Sequence, residues 1–163
     1  MAAEFSANAT QVVQINQPVI FTESPVPCNR GLVFHRDESG IFLLANNAPS
    51  TNICSCGCRK IYETLYQVEF HGNISVPTDP AGTVEPISLA IAINGETDPS
   101  SIMTVTVPLV SDTAGDNVGS SIIVAIPSIC GCQSVSVRNI STQAINVMNA
   151  NILFNYIGYR RVR

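Results

Sequence analysis

The side chains of this chain with the most chemical capacity are its six cysteines: Cys28, Cys54, Cys56, Cys58, Cys130 and Cys132. Three stand in the stretch NICSCGCRK, Asn52 to Lys60, each separated by one small residue. SICGCQS repeats the spacing at Cys130 and Cys132. Three chemistries fit. Disulfides would staple loops together if the Cα atoms come within about 7 Å and the setting is oxidising. Thiolates would hold zinc or an iron–sulfur cluster. Against that stand the C-x-C spacing, which differs from the C-x2-C of common zinc knuckles, and the absence of a nearby histidine. Reduced thiols would act as small apolar fillers, which three glycine- or serine-spaced cysteines in a row suit least. No cofactor is required by the sequence; zinc or an iron–sulfur cluster at the cysteines is the one these residues would hold.

A second candidate is SDTAGDN, where Asp112, Asp116 and Asn117 offer oxygens of the kind that hold calcium. Their spacing matches no defined calcium loop, and a solvated turn is the simpler reading. Enzyme motifs dissolve on inspection. HRD at His35 to Asp37 resembles a kinase catalytic loop but lacks the downstream Asn and the glycine-rich loop. DTAG at Asp112 to Gly115 resembles a GTPase element, yet no G-x-x-x-x-G-K-[ST] holds phosphates. The chain has only two histidines, His35 and His71. No Ser-His-Asp set can be assembled from them, and two separated histidines cannot supply a cupin-like metal centre. His71 shares a strand face with Glu69 by alternation, as an interface histidine would.

These residues must be carried by a chain of 163 residues, enough for one domain. Charged residues make up 12% of it. An average soluble domain has roughly 25%. Hydrophobic residues make up 45% and the mean hydropathy is +0.25. So few charges cover a monomer's surface poorly, and burial of part of it in an oligomer is expected. A net charge of -4 excludes a nucleic-acid binder that works by replacing counterions. The one basic run, YRRVR, reads as a tail over 158–163, and residues 1–10 read as an N-terminal arm. The opening residues lack the basic and apolar regions of a secretory signal. No apolar run approaches the roughly 18 residues of a membrane span. Synthesis in a cytoplasm without membrane insertion is the expectation.

Hydrophobic periodicity is that of strands throughout. Runs of β-branched and aromatic residues lie at 11–15, 18–22, 31–35, 41–44, 62–76, 86–94, 101–110, 118–126, 133–139 and 145–157. Between them stand turns rich in Pro, Gly, Asn and Asp. In YETLYQVEF, Tyr62, Thr64, Tyr66, Val68 and Phe70 share one face; in PISLAIAIN, Ile87, Leu89, Ile91 and Ile93 do. The opposite faces are notably small in several of these runs, which suits a closely approached partner. Asn94-Gly95 is a hairpin signal because both residues tolerate positive φ. HRDESG reads as the turn between two short strands. About ten strands without a helix predict an all-β, two-sheet antiparallel jelly-roll sandwich.

The order of features resembles the superfamily of tumour necrosis factor-like and complement globular-head proteins. SANATQVVQINQPVIFT and GLVFHRDESGIFLL are similar to its first strands, IYETLYQVEFHGNISV to its third major strand, PISLAIAINGE to the next, and SVSVRNIST with INVMNANILFNYIGY to its last two. Within that superfamily the chain resembles bacterial and bacteriophage versions: head fibres, tail-associated proteins and spore-surface filament heads. The resemblance implies a non-enzymatic homotrimer packed about a threefold axis. It implies a virion component that binds another virion protein or a host-surface ligand such as a glycan; a spore or cell-surface head is the alternative. It also implies that the loops carrying Cys54–Cys58 and Cys130–Cys132 leave the sandwich at one end, where Cys28 could join them.

Overall fold

The computed structural model describes residues 2–27, 31–36, 39–48, 61–77, 84–110, 115–128 and 131–162. Twelve strands form among them: β1 Ala2–Ala7, β2 Gln11–Val13, β3 Glu23–Val26, β4 Val33–His35, β5 Phe42–Ala45, β6 Ile61–Ser75, β7 Ile87–Ile93, β8 Glu96–Thr97, β9 Met103–Val105, β10 Asp116–Pro127, β11 Cys132–Asn139 and β12 Ile145–Val162. A 3-10 turn, Pro99–Ser101, is capped by the Asp98 carboxylate, which accepts from the Ser100 amide. One sheet runs β10-β6-β12-β1-β3, with β2 beside the first residues of β12. The other runs β4-β5-β11-β7-β8, with β9 beside the start of β7. All strand pairs are antiparallel. The result is the jelly-roll sandwich that the turn spacing predicts.

Period-two alternation decides what each strand buries. Thr64, Tyr66, Val68, Phe70 and Ile74 of β6 are fully buried, and so are Ile87, Leu89 and Ile91 of β7. Between the sheets the core is aromatic. Phe42 of β5 meets Phe5 of β1 at 4.8 Å and Phe154 of β12 at 4.9 Å between ring centroids, both tilted. Phe21, on the segment crossing between sheets, meets Phe42 at 5.4 Å edge-on. Such pairs add about 0.5–1.5 kcal/mol each beyond the area they bury. The crossing segment is pinned to both sheets: the Val19 amide donates to the Val137 carbonyl, and the Thr22 amide to the Ser6 carbonyl. Gly40 makes that crossing possible, because a Cβ there would stand 2.0 Å from the Val19 carbonyl oxygen.

Three expectations change. Residues 2–7 are not an arm but β1, paired with Ala150–Asn155 and burying Ala3, Phe5 and Ala7. Residues 158–162 are not a separate tail but the end of β12, in register with Ile61–Leu65; Arg160 donates to Glu63 at 2.9 Å. A bulge between Tyr156 and Gly158 lets the strand continue. Finally, Ala90 and Ala92 on the small face of β7 are already buried within the chain. Arg138, level with Ala90 in β11, reaches the Gly95 carbonyl at 3.1 Å and so crosses the Ala92 level.

The Asn94-Gly95 hairpin forms between β7 and β8. Asn94 has φ 53° and Gly95 has φ 86°, the positive values that such a turn requires. The described residues of HRDESG close up between β4 and β5: the Arg36 amide donates to the Ile41 carbonyl, and the Ser39 amide to the Arg36 carbonyl.

Candidate functional site

Cys28, Cys54, Cys56, Cys58 and Cys130 lie outside the described residues; Cys132 opens β11, is exposed, and bonds to no other described cysteine. The described flanks of the three cysteine-bearing loops do meet at one end of the sandwich. The Ala45 amide donates to the Leu32 carbonyl, the Asn46 amide to the Gly131 carbonyl, and the Ser128 amide to the Tyr62 carbonyl. The Tyr66 hydroxyl, buried beneath them, donates to the Ala45 carbonyl at 2.6 Å.

Asp112 is also outside the described residues. Asp116 and Asn117 begin β10, on successive strand positions and therefore on opposite faces. The Asn117 side-chain amide donates to Asn73 Oδ1 at 3.1 Å, while Asp116 Oδ2 is buried without a hydrogen-bond partner among the described residues. The strand separates these two groups instead of converging them on one ion.

The histidines are equally separate. His35 stacks on Phe42 in the second sheet, at 4.7 Å and 19°, and its Nε2 meets the Ser39 carbonyl at 2.9 Å. That is the structural use of a half-buried histidine; Asp37 of HRD lies outside the described residues. His71 belongs to the first sheet, where its Nε2 pairs with Glu69 Oε1 at 2.7 Å. A groove of about 420 Å³ beside the crossing segment is lined by residues such as Gln11, Val12, Pro18, Ile20 and Gly40. Its lining includes one hydroxyl, that of Ser39, which donates to the Arg36 carbonyl at 2.6 Å.

What remains is the outward face of the first sheet, five strands wide from β10 to β3. Register sorts its side chains into level rows. Glu63 lies beside Arg160 and Pro127 at one end, then Leu65 beside Ala125 and Gly158. Gln67 follows, between Ile123 and Asn155, with Ala2 beyond. Glu69 comes next, between Ser121 and Leu153, with Glu4 beyond. His71 lies between Gly119 and Asn151, with Ser6 and Glu23 beyond. Gly119 is required there, because a Cβ would stand 2.5 Å from His71 Nδ1. Between the Glu63–Arg160 pair at one end and the Glu69–Glu4 row stand Leu65, Ala125, Gly158, Gln67, Asn155 and Ile123, the last 56% exposed.

The face adjoins an uncharged side wall. β10 is the edge strand of the first sheet and lies against β9 and the 3-10 turn. No charged residue occurs from Pro99 to Val110 or from Asn117 to Val137. Ile102, Val107, Leu109 and Val110 are exposed on this wall, Val107 at 83%. Composition hinted at such a surface; its location needed the strand order.

The two antiparallel sheets with this strand order make a jelly-roll fold. Among solved structures it is similar to the globular domain of zebrafish complement 1qA protein, with 12% identity, 99% of this chain and 98% of that one covered, and a TM-score of 0.52. It is also similar to murine APRIL at pH 5.0, with 8% identity, 96% and 100% covered, and a TM-score of 0.59. The same protein at pH 8.5 gives 7% identity, the same coverage and a TM-score of 0.58. The sequence matches no protein-family model and no curated relative. At these identities the likeness is one of fold.

Proposed function

We propose that this chain is a non-enzymatic structural or adhesion module that works as a homotrimer, with the outward face of its first sheet turned towards a threefold axis. The observation that carries the reading is the continuity of that face with the uncharged β9–β10 wall. A closed ring needs two different patches, one on each side of every contact. The open face and the adjoining wall supply two, with exposed Ile123 where they meet. On a chain with 12% charged residues, apolar area of this kind favours burial between copies. Light scattering of the intact chain should give three times its 17.4 kDa mass. A stable monomer at micromolar concentration would refute the trimer.

The biological setting we infer is a virion, with the trimer projecting from a phage head or tail and engaging another virion protein or a host-surface glycan. Support comes from the sequence resemblance to phage and spore-surface versions of the fold. Antibodies against the chain should label purified particles, and a glycan array should return a ligand if the role is adhesive. Labelling of spores or cell surfaces with none on particles would move the protein to the alternative setting. The cysteine-bearing loops are proposed to form an end clamp, by disulfides or by a zinc or iron–sulfur site. A free-thiol count with metal analysis of protein purified without chelator decides this; six reactive thiols and no metal would remove the clamp.

A further inference from the structure

The groove beside the crossing segment is held open by specific bonds. Gln11 of β2 clamps it: its side-chain amide donates to the Ile20 carbonyl and accepts from the Ile20 amide, both at 2.8 Å. Both residues line the groove of about 420 Å³ and also a smaller hollow of about 190 Å³ that reaches Ala7, Thr10 and Thr22. The clamp therefore stands between two subsites. The larger one falls within the roughly 300–1,000 Å³ of small-ligand sites. Gln14 and Gln17, which also line it, sit on a tight turn. Asn16 in that turn has φ 61°, a conformation that asparagine tolerates. The Gln17 amide donates to the Gln14 carbonyl at 3.0 Å, and the Asn16 amide to the Asn139 carbonyl at 2.9 Å. These bonds fix the turn before any ligand arrives, which lowers the ordering cost of binding. Gln14 and Gln17 are exposed, and their side-chain amides bond to no other described residue.

The lining selects the ligand. No described lining residue of either subsite is charged or aromatic. An acidic or phosphorylated ligand needs Arg or Lys, and a proline-rich peptide needs aromatic walls. A peptide that adds as a strand needs a free main-chain edge. Ile20 gives it none, because Gln11 holds both its N–H and its C=O. What the groove presents is free side-chain amides beside exposed aliphatic surface. An amide is donor and acceptor together, and so is a hydroxyl. Val12, 57% exposed, and Ile20, 41% exposed, supply apolar area for the C–H faces of a sugar ring. We propose that this two-part groove binds a neutral oligosaccharide. Its hydroxyls meet Gln14 and Gln17, and its ring faces lie on Val12, Pro18 and Ile20. The inference rests on the adhesive reading above and gives it a site and a ligand class. The groove shares no described residue with the charged rows of the first sheet or with the uncharged wall, so sugar binding and self-association are separable.

The test is an array of neutral and sialylated oligosaccharides probed with the intact chain, whose assembled copies engage such a surface together. The best neutral hit is then titrated in solution by calorimetry. Neutral sugars should bind, and the double variant Gln14→Ala, Gln17→Ala should lose about tenfold or more in affinity. Circular dichroism and sedimentation of that variant should match the wild type. Neutral sugars that bind the variant as well as the wild type overturn the groove and leave the adhesive reading standing. Binding of sialylated sugars alone overturns the neutral class and again leaves adhesion standing. An uncharged Gly-Ser-Pro peptide should give no heat; heat that the double variant abolishes, with no sugar bound, assigns the groove to peptide and overturns the sugar. Silence across the array overturns this inference together with the glycan reading, while sedimentation still reads the trimer independently.

Discussion

The two side walls of the sandwich solve the same problem in opposite ways. Each exposes the edge of both sheets, and an exposed edge is a template for another chain. On one wall the edges are β3 and β4. β3 carries Glu23 and Pro25 in four residues, and β4 is three residues long and runs into Arg36. A proline removes a ladder donor, a carboxylate opposes close approach, and a short strand offers little to pair with. On the other wall β8 is short and carries Glu96, and β9 is short, but β10 runs for 12 residues with no bulge in its pairing to β6. It has no charge after Asp116 and no proline before Pro127. One wall is protected in both sheets; the other is protected at β8 and open along β10, the strand that the proposed trimer covers.

Breaking the unprotected wall should have the largest effect. Ile123→Glu places a charge where the wall meets the open face. Burying it unpaired between copies costs at least about 3 kcal/mol, roughly a hundredfold or more in association. Sedimentation should show a monomer while circular dichroism stays unchanged. Next in size is a change to the packing behind the protected wall. Gly40→Ala drives a Cβ into the Val19 carbonyl. It should cost about 3 kcal/mol of folding stability, read as a lower urea midpoint in a variant whose association is otherwise retained. Val107→Lys tests the far part of the uncharged wall. A long lysine can turn its ammonium to solvent, so association should weaken about tenfold, a cost of about 1.4 kcal/mol. The smallest effect belongs to the protected wall, where Phe34 of β4 is exposed. Phe34→Ser should change stability by no more than about 0.5 kcal/mol. Association should stay as it was. If Phe34→Ser dissociates the oligomer and Ile123→Glu does not, the two walls have been assigned the wrong way round.

How far each element could be read depended on the size of its buried side chains. β6 and β7 were legible because Tyr66, Val68, Phe70, Leu89 and Ile91 alternate with polar or small neighbours. β1 was not, because AAEFSA buries two alanines around a single phenylalanine, and alanine carries little periodic signal. The end of β12 was hidden by Gly158, which reads as a terminator but sits at a bulge with φ of 150°. Its role showed only when Glu63, 97 residues away, came beside Arg160. β3 replaced a strand expected at 18–22, because that segment crosses between sheets to place Phe21 in the core.

Sequence alone determined the class of the fold, the main strand faces, the Asn94-Gly95 turn and the low surface charge, since all of these follow from residue types at short spacing. Tertiary structure decided which small faces are free. Ala90 and Ala92 are buried within the chain, whereas Gly119 and Ser121 stand on the outward face of the first sheet beside His71 and Glu69. It also decided that Glu4, Glu23, Glu69 and His71, drawn from three strands, share two adjacent rows of one face. Such a grouping depends on strand order and register, which are set by the packing of the whole core and not by any local stretch of chain.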